Sequence, residues 1–129
     1  MSAALAPLLT SARRPAYAAA AALLAAGAVA TWLLAGSGGW IVLAFAIAPD
    51  LALPAGGGRG LDRGQLHPRA VPLYNALHRL WGPVVLAAVA LAGLLPAAWL
   101  AAALAWAAHI ALDRAAGYGL RAPDGRQRA

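Results

Sequence analysis

Apolar positions run through this chain in four long blocks, at residues 16–35, 40–55, 72–95 and 97–116, and all charged positions but Asp50, Arg79, Asp113 and Arg114 fall between or beyond them. The first block of ~20 residues makes ~30 Å of helix, enough to cross the hydrocarbon core of a bilayer. Arg13 and Arg14 precede it, and Gly36-Ser37-Gly38-Gly39 ends it. Its length argues against a cleaved signal peptide, whose apolar region covers about 7–15 residues. The second block opens on Trp40, which suits a membrane interface. Pro49-Asp50 and Pro54 remove backbone donors there, so this helix is expected to kink or end. A polar loop follows from Gly56 to Arg69, whose glycines and proline forbid regular structure, and its His67 is expected in solvent. The third block carries Tyr74, Asn75, His78 and Arg79 in its first turns and then runs apolar from Leu80 to Leu95. An uncharged turn leads into the fourth, which is apolar until His109, Asp113 and Arg114. Gly117-Tyr118-Gly119 is expected to stop that helix, with Tyr118 at the interface and a mobile tail at 121–129.

Composition turns these blocks into a membrane reading. With 63% hydrophobic and only 11% charged residues, the chain has too little polar surface for a soluble bundle. The predicted fold is all-α: one membrane domain over residues 1–129, built as a four-transmembrane-helix bundle. The net charge of +6 comes from ten Arg against four Asp, with neither Lys nor Glu. Arg in place of Lys, with abundant Ala, fits a GC-rich bacterial genome and hence a multi-pass protein of the bacterial cytoplasmic (inner) membrane. Every arginine flanks the same ends of the blocks, whereas the loops at 36–39 and 93–96 carry no charge. The positive-inside rule then places both termini in the cytoplasm. Anionic lipid headgroups are the expected partner on that side, and nucleic acid is not, since no aromatic-rich basic groove accompanies the arginines. Cys is absent, which excludes disulfides and thiolate metal sites.

Helical rise places four ionisable groups in the cytoplasmic half: Asp50 lies ~15 Å from Trp40, His109 ~18 Å and Asp113 ~24 Å from Ala97, and His78 ~25 Å from Leu95. Such groups are costly inside a membrane and mark a functional-site hypothesis. His109 and Asp113 are spaced i, i+4 and share a helix face; Tyr74, Asn75 and His78 share another. The candidate polar site therefore comprises Asp50, Tyr74, Asn75, His78, Arg79, His109, Asp113, Arg114 and Tyr118. In a structural reading Asp50 caps the kinked helix, Asp113 pairs with Arg79 or Arg114, and the histidines donate to backbone carbonyls. In a metal reading Asp50, His78, His109 and Asp113 hold one divalent Zn, Mn or Fe ion, since imidazole and carboxylate together suit these metals. A proton relay, or a headgroup pocket with Arg79 and Arg114 on phosphate, is a third reading.

Pro49-Asp50-Leu51, Tyr74-Asn75 with His78, and Ala108-His109-Ile110 with Asp113-Arg114 and Gly117-Tyr118-Gly119-Leu120 together resemble the small bacterial membrane proteins of the domain of unknown function 4260 family. The resemblance covers residues 16–121 and implies a compact four-span protein with no assigned activity; the 56–69 loop departs from it. A looser analogy of residue types links Pro49-Asp50, His78-Arg79 and His109 with Asp113 to membrane-bound metal-dependent hydrolases. The function expected from the sequence is that of an integral membrane protein with a cytoplasm-facing polar site. The alternatives are a metal-dependent hydrolase acting on a lipid or phosphate headgroup, and a small transporter or accessory subunit working as a homo-oligomer.

Overall fold

A computed structural model describes residues 5–128, all helical apart from turns and one isolated bridge between Arg121 and Gln127; the ends of the predicted 1–129 domain lie outside the described residues. Five α-helices follow in order: α1 (Leu5–Ala35), α2 (Gly39–Ile47), α3 (Val71–Leu77), α4 (Trp81–Leu91) and α5 (Ala98–Ala116). Short 3-10 segments at Ala48–Ala52, Pro54–Gly56 and Pro68–Ala70 join α2 to α3. Helix α5 is central and packs against α1, α2 and α4.

The packing is small inside and large outside. Ala101, Ala102 and Ala103 of α5 are no more than 1% exposed, while Leu23, Leu34, Trp40, Leu43, Leu91 and Leu94 are 63–89% exposed. Water would penalise that outer surface, whereas lipid does not, and small residues let membrane helices approach closely. Two stretches, Arg13–Ala35 and Gly39–Gly56, are long and apolar enough to cross a membrane.

Prolines make the structure depart from four plain helices. Helix α1 begins at Leu5, so Pro15 lies inside it and does not start it. The second block leaves α-geometry after Ile47, because Pro49 has no N–H to donate, and continues as 3-10 turns. The block expected as one helix over 72–95 is divided at His78–Leu80 into α3 and α4. Pro83 accounts for the break, since its ring clashes with the Arg79 carbonyl four residues back and cannot bond to it. Side chains satisfy the carbonyls left at the break: Trp106 Nε1 donates to Leu77 O (2.8 Å) and Arg114 to His78 O (3.3 Å). Trp106 also fills the space a side chain at Gly82 would take.

The end of α5 follows expectation. Gly117 takes φ 94°, with its N–H on Arg114 O (3.2 Å) and the Tyr118 N–H on Asp113 O (2.8 Å), a Schellman stop. Residues 121–128 of the segment expected as a mobile tail lie against the loop. Asn75 bonds both the N–H (2.7 Å) and the carbonyl (2.9 Å) of Arg121. The Leu66 N–H donates to Gly125 O (3.0 Å), and Gln65 Nε2 to Asp124 O (2.7 Å). Arg126 pairs with Asp124 and Asp62. A second small core of Ala52, Leu66, Ala70, Val71 and Tyr74 forms under this layer. His67, expected in solvent, is half-buried and accepts the Arg69 N–H on Nδ1 (3.2 Å), capping the 3-10 turn.

Candidate metal centre

Four ligand-type side chains from three parts of the chain meet beside the two helix breaks. Asp50 comes from the 3-10 turn after α2, His78 from the end of α3, and His109 and Asp113 from one face of α5. One ligand atom from each lies within 4.8 Å of all the others. His78 Nε2 is 3.1 Å from Asp113 Oδ2 and 3.7 Å from Asp50 Oδ1. His109 Nε2 is 3.5 Å from Asp50 Oδ1 and 3.6 Å from Asp113 Oδ2. Ligands about 2.05 Å from one ion stand about 3.4 Å apart in a tetrahedron, so these four nitrogen–oxygen separations are compatible with a shared ion.

The far nitrogens fix the tautomers. His78 Nδ1 lies 2.8 Å from Tyr74 O, and His109 Nδ1 lies 2.8 Å from Ala46 O. A carbonyl only accepts, so both Nδ1 atoms carry hydrogen and both rings turn Nε2 toward the carboxylates. Ala46 O is free for this role because the donor three residues on in the 3-10 turn is Pro49, which has none. Backbone carbonyls on the second nitrogen are the usual support of metal-bound imidazoles.

Both Nε2 atoms are buried without a hydrogen-bond partner, despite carboxylate oxygens 3.1–3.7 Å away. The two nitrogens and two oxygens are gathered within 4.8 Å of one another. With neutral rings the cluster carries two negative charges, and among the described residues no arginine lies within 4.0 Å of either carboxylate. A divalent cation neutralises that set and satisfies both nitrogens. The ring of Tyr74 stacks on His78 at 3.9 Å, and the Arg121 guanidinium lies over the Tyr74 ring at 5.2 Å.

The remaining candidates take other places. Asn75 fastens the tail, and Arg114 serves the His78 carbonyl instead of pairing with Asp113. Arg79 is exposed and makes no ion pair within 4.0 Å with either carboxylate. Tyr118, 53% exposed, stands beyond the helix stop. Asp50 makes no side-chain cap on the kinked helix. The histidines do donate to backbone carbonyls as the structural reading expects, but through Nδ1 alone, which leaves Nε2 for a ligand. Sequence reasoning did not single out Arg121, Ala46 or Pro83; Pro83 inside a helical block was the available signal.

His109 also forms the wall of an apolar groove of about 530 Å³ between α1, α2 and α5, with Ala21, Ala25, Val29, Val42 and Ala105. Asp50, whose side chain is 42% exposed, is the most open of the four ligands. A family model described as Domain of unknown function (DUF4260) matches residues 17–129. No curated protein and no solved structure matches the chain.

Proposed function

The chain belongs to the DUF4260 family, whose description names no activity, and from the geometry of its polar cluster we propose an integral membrane metalloprotein that holds one divalent ion with Asp50, His78, His109 and Asp113. The observation that carries this reading is the pair of orphaned, carbonyl-anchored imidazole nitrogens facing two carboxylates. Two imidazoles and two carboxylates suit zinc first, and manganese or iron if a further ligand joins. The protein is read as a multi-pass protein of the bacterial cytoplasmic membrane with both termini inside. The exposed leucines and the one-sided arginines support this. The ion then sits in the cytoplasmic half and ties the 3-10 turn, α3 and α5 together.

Metal analysis of the detergent-purified protein tests the reading. One zinc per chain is expected in wild type and none in His78→Ala or His109→Ala. Wild type that takes up no Zn, Mn or Fe would sink it.

A second reading, hydrolysis of a membrane-borne ester or phosphodiester, is favoured by the half-open Asp50 carboxylate and by the apolar groove beside His109. A bound ion would supply Lewis acidity and a lowered water pKa. Asp50, the most exposed of the four, would be the residue best placed to accept that water's proton. Zinc-loaded wild type that leaves short-chain phospholipids and fatty esters intact would confine the ion to a structural role.

A further inference from the structure

On the opposite side of α5 from the groove, a cleft of about 360 Å³ opens between α1, the start of α4 and α5, lined by Tyr17, Leu24, Arg79, Leu80, Ile110 and Arg114. Its polarity is graded. Because α1 and α5 run antiparallel under the topology above, Tyr17, Arg79 and Arg114 share the cytoplasmic end, and Leu24 lies ~10 Å deeper along α1. The guanidinium of Arg14, packed against Gly117, stands at the same end. Among the described residues, neither Arg79 nor Arg114 has a carboxylate within 4.0 Å, and Arg114 uses one nitrogen, on the His78 carbonyl. Two guanidinium forks with unused donors, above an apolar floor, are complementary to one kind of occupant: a phosphate-bearing head joined to a hydrocarbon chain.

We propose that this cleft binds an anionic membrane phospholipid, with its phosphodiester on Arg79 and Arg114 and the start of an acyl chain along Leu24 and Ile110. The chain sequence builds the site economically. In His78-Arg79 and in Asp113-Arg114, a metal-ligand residue turns into the bundle and the next residue turns out to the cleft. The lipid head therefore sits on the reverse side of the two backbone segments that carry His78 and Asp113. The proposal rests on the membrane placement of the chain and is independent of whether a metal binds.

Native mass spectrometry of the full-length, metal-free protein in mild detergent tests it, with phosphatidylglycerol and phosphatidylcholine offered in equal amounts. Wild type is expected to retain phosphatidylglycerol in preference, and Arg79→Gln to lose roughly fivefold in that retention, the scale of one arginine at an anionic surface. Arg79 is exposed and bonds no other described residue, so this variant tests binding and not folding. Arg59→Gln, in the exposed loop, should leave the preference unchanged, and millimolar inorganic phosphate should not displace the lipid. Equal retention by wild type and Arg79→Gln would overturn the proposal. So would an equal loss in Arg59→Gln, which would mean general surface charge, or displacement by phosphate, which would mean a free-anion site. If the membrane placement itself is wrong, the protein will stay soluble without detergent, a result distinct from a missing lipid preference.

Discussion

His78 Nε2 lies 3.1 Å from Asp113 Oδ2 and forms no hydrogen bond with it. The pair is close enough to bond and turned so that it does not, because the ring is fixed by its Nδ1 on Tyr74 O and by stacking on the Tyr74 ring. A third centre between them is the simplest resolution, and it is also where His109 and Asp50 aim. Tyr74 is thereby a positioning residue for His78.

Metal should stabilise the fold by mass action. At free zinc 100 times Kd the gain is about 2.7 kcal/mol, read as a rise in thermal midpoint. His109→Ala should abolish that rise, whereas loss of the Ala46 hydrogen bond alone costs about 1 kcal/mol with or without zinc. A zinc-dependent shift that survives His109→Ala would place the ion elsewhere.

Pro83→Ala removes the cause of the break between α3 and α4. With an N–H restored at this fully buried position, the chain can run as one helix through His78 and rotate its ring away from the cluster. Helix content by circular dichroism is expected to hold or rise while zinc affinity falls about 10–100-fold, the usual cost of disturbing a supporting shell. Unchanged affinity would show that packing, with Trp106 against Gly82, makes the break unaided.

The tail clamp should open in acid. The Arg126 backbone N–H, then its guanidinium, hold the Asp124 carboxyl below the ordinary value of about 3.9. A carboxyl lowered by folding contributes stability that is full above its unfolded value and is lost as pH falls through the folded one. Amide protection at 121–128, corrected for the intrinsic pH dependence of exchange, should therefore fall below about pH 4; Asp124→Asn should remove that pH dependence, and Arg126→Ala, which keeps the backbone N–H, should only weaken it. Exchange already fast at neutral pH would mean that the tail is not docked.

Topology is testable apart from the site. A reporter inserted at Gly38 should report the outside and one after Arg121 the cytoplasm. A cytoplasmic signal at Gly38 would remove the four-span arrangement. It would not by itself dissolve the cluster, which rests on contacts within the chain.

Two successes of sequence reasoning rest on local rules. Gly117 was readable as a helix stop because a Schellman turn needs a residue with positive φ at that place. The i, i+4 spacing put His109 and Asp113 on one face of α5 before any packing was known. The tail's contacts were not legible because its polar composition looks solvated. Its anchor, Asn75 with Arg121, joins residues 46 apart, which no local pattern signals. The broken third block was misjudged because hydrophobicity outweighed Pro83 in a reading by blocks.

What the sequence by itself determined is the inventory: long apolar runs, arginines at one set of ends, and two histidines and two aspartates as the ligand-type groups within the apolar blocks. Those properties are additive along the chain and need no partner residue. The tertiary structure decided which atoms of that inventory meet. Prolines interrupt α2 and the α3–α4 run at particular turns, freeing Ala46 O to orient His109 and ending α3 at His78, whose ring Tyr74 holds. The direction of an imidazole nitrogen depends on which distant carbonyl its other nitrogen finds, and that is set only when the helices pack.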